Sequence, residues 1–245
     1  MTVDFDFKEL GKKTAAAGAL EFIEPGMILG LGTGSKAACF LKIIAERENR
    51  DNLDVLGVPS STVTRANVEL LGIKLTTLDS VGSVDLVVDG ADEFDSSSNL
   101  IKGGGAVLQE KIVANSANRM VVITDSSKQV KSQGEFDLPV EIVRFASSFT
   151  KRIIEKILQE NGYYDLKIKY RQNQKSLNFV TDEGHLILDL ELGEIQNARL
   201  LHDELIKCPG VVETGLFIDM VDTISIGNPD GSCRLIRAEK TYDQN

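Results

Sequence analysis

The sequence predicts an α/β fold: a doubly wound, mostly parallel sheet of Rossmann-like type with an inserted, smaller α+β domain of ferredoxin-like order. Short apolar runs rich in β-branched residues, at 27–31, 53–58, 86–88 and 120–124, alternate with segments of helical spacing. Turns bearing glycines, hydroxyls or carboxylates follow the ends of three of these runs, at Gly32 to Ser35, Asp89 to Asp92 and Asp125 to Lys128. Such turns gather on one edge of a doubly wound sheet. After Gly134 the order changes to strand, helix, strand, hairpin, helix, strand, which approximates a split βαβ unit. We therefore expect 1–134 and 216–245 to form the Rossmann-like domain and 135–215 the inserted one.

Taken in order, 7–24 reads as a helix with Leu10, Ala17, Leu20 and Ile23 on one side, ended by Pro25-Gly26. Lys12 and Lys13 lie on it, and helical lysines are usually solvated. Strand 27–31 passes through Gly32-Thr33-Gly34-Ser35 into a helix over 36–47. A strand, glycine turn and helix with hydroxyls at the junction is a phosphate-cradling arrangement; a purely structural turn is the alternative. The G-x-G-x-G-S spacing is not the dinucleotide fingerprint, and no acidic residue ends the second strand to bind a ribose. Strand 53–58 is followed by a helix over 60–71, with Ser60, Ser61 and Thr62 as capping residues and Gly72 as its end. A short strand at 73–76 precedes the one that ends in Asp89.

Beyond the strand at 120–124, the second domain takes a strand at 138–143 and a helix over 147–161 with Phe149, Ile153, Ile157 and Leu158 inward. A strand at 166–170 follows, then a hairpin of 177–181 and 186–190 around Asp182-Glu183-Gly184. A helix near 197–206 and an apolar run at 211–217 complete it. The tail, 223–226 with the Pro229-Asp230-Gly231 turn, is expected to return to the first sheet.

A chain of 245 residues with 42% hydrophobic and 26% charged content can bury a sizeable core. Its net charge of −10 disfavours a nucleic-acid partner, which needs a basic face, but not a small anion held by a local lysine and oriented amides. No apolar run reaches the length of a membrane span, and the N-terminus lacks a signal-peptide pattern. Cys39, Cys208 and Cys233 are odd in number, widely spaced and without a CxxC, as expected of reduced thiols in the cytoplasm. His185 and His202 lack metal-binding spacing, so we expect no metal site.

The densest chemistry lies between Val84 and Asn115. Asp89 and Asp92 stand at a strand end, separated by Gly90 and Ala91. Lys102 is followed by Gly103-Gly104-Gly105, and Glu110 lies in the first turns of a segment with Val107, Leu108, Lys111, Ile112 and Asn115 at helical spacing. Amides of a glycine turn that opens a helix can hold an anion or a developing oxyanion. A partly desolvated glutamate can serve as a general base. Turn and N-cap roles for the aspartates, and a solvated helical position for Glu110, are the competing readings.

Asp89 to Glu93 (DGADE), Ile101 to Gly105 (IKGGG) and Glu110 to Ala114 (EKIVA) resemble ribose-5-phosphate isomerase of the A type. The resemblance extends to Gly30 to Ser35, Asp125 to Val130, Leu138 to Val143, Thr181 to Asp189 and Pro209 to Phe217, in the family's order along nearly the whole chain. It implies interconversion of D-ribose 5-phosphate and D-ribulose 5-phosphate through an enediolate, with neither metal nor redox cofactor. It implies Glu110 as the base that shuttles a proton, and Asp89 and Asp92 as handlers of hydroxyl protons and ring opening. Lys102 with the amides of Gly103, Gly104 and Gly105 would stabilise the enediolate, and Gly90 and Ala91 would line the substrate. Thr33, Gly34, Ser35 and Lys36 would hold the phosphate, joined by Lys12 and Lys128. A cytoplasmic dimer or tetramer is the implied assembly.

Two departures stand out. Lys36 occupies a position where the family usually has threonine. The Lys102–Glu110 spacing is one residue shorter than the family's, and one residue turns a helix by about 100°. Because EKIVAN continues without a gap, the loss is assigned to the glycine turn or the residue after it, where glycines absorb unusual dihedrals. Rival readings are an aminosugar-phosphate deaminase or acyl-CoA transferase, against which the block order argues, and a non-catalytic sugar-phosphate sensor. A regulatory sensor would need a DNA-binding segment.

Overall fold

The computed structural model describes residues 7–51, 53–105, 107–165 and 167–238. Along the chain run α1 (Phe7–Ala19), β1 (Ile28–Leu31), α2 (Ser35–Asp51), β2 (Leu56–Pro59), α3 (Thr62–Leu71), α4 (Leu78–Val81) and β3 (Val84–Gly90). There follow β4 (Glu93–Phe94), β5 (Leu100–Ile101), α5 (Leu108–Asn115), β6 (Ala117–Asp125), β7 (Leu138–Ile142), α6 (Ser147–Glu160) and β8 (Lys167–Tyr170). The last elements are β9 (Leu186–Glu191), α7 (Ala198–Ile206), β10 (Val211–Thr214), β11 (Leu216–Phe217), β12 (Thr223–Gly227) and β13 (Cys233–Arg237). Among the described residues no helix is long and apolar enough to cross a membrane.

The chain divides into two compact units. The first comprises the described parts of Met1–Ala91, Ile112–Gln129 and Asp219–Asn245. Its sheet has the order β13-β12-β6-β3-β1-β2, parallel from β12 to β2, with β13 antiparallel at the edge. This is the doubly wound sheet expected, and the tail returns to it as β12 beside β6. Apolar side chains of β1, β3 and β6, including Leu29, Leu86, Val88, Val121 and Ile123, meet Phe40, Leu41 and Ile44 of α2 in one core. The helix α3 begins at Ser61, whose side chain accepts the Thr64 N–H, and ends at Gly72 in a left-handed conformation (φ 76°).

Two expectations for this unit are corrected. The inward face of α1 is Ala15, Ala16 and Ala19, whereas Ala17 is exposed. The reason is close packing on β12: a Cβ on Gly11 would meet the Gly227 carbonyl oxygen at 3.3 Å, and Ser225 Oγ donates to the Ala15 carbonyl at 2.8 Å. Small residues, not large apolar ones, mark the buried stripe. The strand expected at 73–76 reduces to a single bridge, Gly57 with Leu75.

The second unit comprises Asp92–Lys111 and Val130–Ile218. Its larger sheet, β10-β7-β9-β8, is antiparallel throughout, and the element order β7-α6-β8-β9-α7-β10 is that of a ferredoxin-like unit. Leu138, Val140, Ile142, Leu188 and Leu190 of the sheet pack with Ile154 and Leu158 of α6 and Leu201 and Leu205 of α7. A separate small sheet, β11-β5-β4, carries the hairpin formed by Glu93–Phe94 and Leu100–Ile101.

The boundaries therefore differ from those expected at 134/135 and 215/216. Asp92–Lys111 belongs with the second unit because β5 pairs with β11 and the Lys102 N–H donates to the Gly215 carbonyl at 2.8 Å. On α6 the buried positions are Thr150, Ile154 and Leu158, while Phe149 is 56% exposed. The first arm of the expected hairpin, 177–181, makes only isolated bridges, including Val180 with Leu186.

Candidate active site

In the first unit, β1 ends at Leu31 and the chain turns through Gly32 and Gly34 into α2. Gly34 has φ 101°, which an L side chain rarely adopts, and a Cβ on Gly32 would sit 2.0 Å from Asp89 Oδ1. Asp89, at the end of β3, is 2% exposed; its Oδ1 accepts the N–H groups of Thr33 (3.1 Å) and Gly90 (2.7 Å). It therefore ties the end of β3 to the turn before α2. The Thr33 hydroxyl lies within hydrogen-bonding distance of the Ser60, Ser61 and Thr64 hydroxyls, at 3.1, 2.9 and 3.1 Å.

A cavity of about 470 Å³ in the same unit is lined by Lys12, Ser35, Lys36, Lys128 and the Asp125-Ser126-Ser127 turn, with Gly11, Gly227 and Pro229. Of the expected phosphate-binding residues, Lys12, Ser35, Lys36 and Lys128 thus come together around one space, and the first turn of α2 opens on it through Ser35 and Lys36. Thr33 and Gly34 do not line this cavity. Lys36 Nζ pairs with Asp125 Oδ2 at 3.0 Å, and Lys12 Nζ with Glu9 at 2.6 Å. Burial alone would push the Asp125 carboxyl up. Hydrogen bonds from Ser127 and Lys36 outweigh it and hold the group below the ordinary carboxylate range. With lysines outnumbering acids along its lining, the cavity is locally cationic on a chain of net charge −10.

In the second unit, Lys102 follows β5, and Lys102 Nζ lies 3.1 Å from Glu110 Oε2 with both side chains about 95% buried (4% and 5% exposed). The shortened spacing has not separated them. Gly103 absorbs the turn at φ 117°, where a Cβ would meet Val107 Cγ2 at 2.7 Å. The buried positions over this stretch are Val107, Glu110, Val113 and Ala114, while Ile112 is 49% exposed, which corrects the face expected from spacing. Asp92 is half-buried, and its Oδ2 accepts the Gly104 N–H at 3.2 Å.

Several residues that hold this cluster were not singled out from the sequence. Phe217 presents its ring to both Lys102 Nζ (5.3 Å to the centroid) and Lys111 Nζ (4.8 Å). Lys111 Nζ donates to Glu213 Oε1 (2.8 Å) and to the carbonyls of Thr214 (2.6 Å) and Leu216 (2.7 Å). Burial lowers the Lys111 pKa, against the opposing pull of Glu213. Glu141, 1% exposed on β7, accepts the N–H groups of Val107 (3.3 Å) and Leu108 (3.0 Å) at the start of α5. Its other oxygen faces Thr181 Oγ1 and His185 Nδ1, each at 3.0 Å. A carboxylate inside the apolar LPVEI run was the available signal.

A doubly wound sheet with a lysine-lined cavity by a helix N-terminus in one unit, and a buried lysine–glutamate pair beside a glycine turn in the other, define an α/β protein with features suited to a small anionic ligand. The family model described as ribose 5-phosphate isomerase A (phosphoriboisomerase A) matches residues 56–231, and the chain belongs to that family. The ribose-5-phosphate isomerase A of Rhodopseudomonas palustris (strain BisB5) is 49% identical over 232 residues, spanning 94% of this chain and 99% of the relative. The structure of ribose 5-phosphate isomerase A from Methanocaldococcus jannaschii superposes with a TM-score of 0.83 at 35% identity, over 94% of this chain and 99% of that one. A D-ribose-5-phosphate isomerase in complex with phospho-erythronic acid superposes at 0.85 and 35% identity, over 94% of this chain and 98% of that one.

Proposed function

We infer that the chain interconverts D-ribose 5-phosphate and D-ribulose 5-phosphate, the step of the non-oxidative pentose phosphate route that moves a carbonyl between C1 and C2. The observation that carries the mechanism is the buried Lys102–Glu110 contact of 3.1 Å beside the Gly103-Gly104 turn. Family membership supplies the substrate.

In the open-chain aldose the Glu110 carboxylate takes the C2 proton. The electron pair of that bond forms the C1–C2 double bond, and the carbonyl π electrons move onto O1. Negative charge then spreads over an enediolate, which the Lys102 ammonium and the amides of the glycine turn stabilise. Glu110 returns the proton to C1 while the O2 hydroxyl passes its own proton to O1, leaving the ketone at C2 and a hydroxyl at C1. Asp89 and Asp92 serve the hydroxyl protons and ring opening. The phosphate is held by Lys12, Ser35, Lys36 and Lys128 in the cavity of the first unit, with the first amides of α2 and the Thr33-Gly34 turn that supports them. Gly90 and Ala91 contribute backbone beside the substrate. Cytoplasmic location and a dimer or tetramer belong to the same reading, and sedimentation tests the assembly.

The test is conversion of ribose 5-phosphate to ketose by purified protein in chelator, alongside exchange of the substrate's C2 hydrogen with solvent. Glu110→Gln should lose both by about 10² to 10⁴ while inorganic phosphate still inhibits residual turnover as in the parent. Near-parental turnover by this variant removes Glu110 from the role.

A further inference from the structure

We propose that Arg171 is a positioning residue for the reaction: its guanidinium sets the direction in which the amides of the glycine turn point. This rests on the reading above, that those amides face the enediolate. Arg171 lies one residue beyond β8, anchored by its own N–H to the Ile187 carbonyl (2.9 Å) and by its carbonyl to the Phe179 N–H (2.8 Å). Its Nε and Nη2 form a two-pronged ion pair with Asp189 of β9, the Nε bond being 3.0 Å, and the side chains are 14% and 18% exposed. The fork is thereby fixed in one orientation, as a guanidinium–carboxylate pair fixes it.

The remaining nitrogen, Nη1, donates to two successive carbonyls of the turn, Gly103 at 2.5 Å and Gly104 at 3.1 Å. Among the described residues no peptide bond is cis, and in a trans peptide the C=O and N–H point in opposite directions. Holding the Gly103 carbonyl therefore aims the Gly104 N–H away from Arg171, and the structure shows where it goes: to Asp92 Oδ2 at 3.2 Å. Holding the Gly104 carbonyl aims the Gly105 N–H in the same general sense. One peptide plane is gripped on both edges, by a cation on the carbonyl side and a candidate catalytic acid on the amide side.

Glycines do not hold such a plane by themselves. Gly103 at φ 117° and its glycine neighbours have wide conformational freedom, and an oxyanion site works only if its donors need no reorganisation at the moment of reaction. Arg171 supplies that rigidity through the two carbonyls it holds. Its loss should leave phosphate binding intact and weaken the interaction with charge developing on O1 and O2.

The experiment compares 4-phospho-D-erythronate, whose planar carboxylate stands in for the two enediolate oxygens, with D-erythritol 4-phosphate, which lacks that charge. Inhibition by each is measured for the parent, Arg171→Ala and Arg171→Lys, with kcat and KM for ribose 5-phosphate. The parent should prefer the carboxylate. Both variants should lose about tenfold or more of that preference, with kcat down by about 10² as for a misplaced catalytic group, while inhibition by the erythritol phosphate and KM change less than about twofold. Added guanidinium ion should restore part of kcat to Arg171→Ala; Arg171→Lys retains a charge but not the fork, and carries the test if the alanine variant does not fold. Variants that keep the parental preference overturn the proposal, as does equal weakening of both inhibitors. A parent with no preference overturns the amide reading and the proposal together.

Discussion

Asp89 shows at the scale of one residue why a carboxylate at a strand end can be both structural and chemical. Two N–H groups, from Thr33 and Gly90, converge on its Oδ1. The turn role weighed against catalysis is thus present, and it does not exclude proton chemistry at the same side chain. Asp89→Asn separates the two. The amide oxygen can still accept both hydrogen bonds, so the turn before α2 should hold and inorganic phosphate should inhibit as in the parent, while kcat falls by about 10² or more because the group no longer carries a proton to and fro. A parallel loss of phosphate binding would assign Asp89 to the scaffold. Lys128 is the converse case. It lines the cationic cavity of the first unit, whereas Lys102 and Glu110 belong to the second. Lys128→Ala should raise KM and weaken phosphate inhibition by about tenfold, the worth of one charge-assisted hydrogen bond, with kcat within about twofold. A fall confined to kcat would contradict a phosphate role.

At the scale of elements, the start of α5 depends on a partner remote in sequence. The helix begins at Leu108 only two residues before Glu110, so the orphan N–H groups of its first turn sit beside the proposed base. Glu141 accepts two of them from β7 and is itself held by Thr181 and His185. Glu141→Gln keeps the shape but replaces one acceptor oxygen by a donor, leaving buried groups unpaired at a cost of about 1–3 kcal/mol. We expect a lower melting temperature and a lower kcat, with phosphate inhibition unchanged because the cavity lies in the other unit. Unaltered kcat in a folded variant would show that α5 places Glu110 without this cap. The same element explains what the sequence did and did not disclose. The glycine run, the lysine before it and the glutamate after it are adjacent in the chain and were legible as chemistry. Glu141 on β7, Asp189 on β9 and Arg171 just beyond β8 lie well over twenty residues away, and pairing across strands leaves no local spacing to read. Over 7–24 and on α6 the expected faces hold at Leu20, Ile23, Ile153, Ile157 and Leu158 and fail at Ala17 and Phe149: helical periodicity ranks large apolar residues, while close approach to a sheet selects Gly11 and Ala15 on α1, and Thr150 rather than Phe149 turns inward on α6.

For the whole molecule, the order of the main elements was legible because the central strands of both sheets carry their own apolar signal and each unit keeps its characteristic succession; the short β4 and β5 and the exposed edge strand β13 carry no such signal. The borders between units were less so, because pairing of β5 with β11, set by register and not by composition, takes Asp92–Lys111 into the second unit. Global stability also depends on the titration of groups that folding half-buries. His202 of α7 is half-buried with Nδ1 2.8 Å from Thr214 Oγ1. Burial, followed by the nearby Lys111 ammonium, pushes its pKa below 6.5, against the pull of Glu213 and Asp203. Between that lowered value and 6.5 the unfolded chain binds more protons at this position than the folded one, so acid favours unfolding. Stability should therefore rise with pH through this window and be lost as pH falls through it; above 6.5 both states are neutral at this site and its contribution levels off. His202→Asn, which keeps a polar atom for Thr214 but cannot take up the proton, should remove this part of the acid sensitivity. Between pH 7.5 and pH 5.5 the parent's melting temperature should drop further than the variant's by about 2 °C. Equal drops would mean that the ring is solvated when charged, and that the acid sensitivity of the fold arises elsewhere.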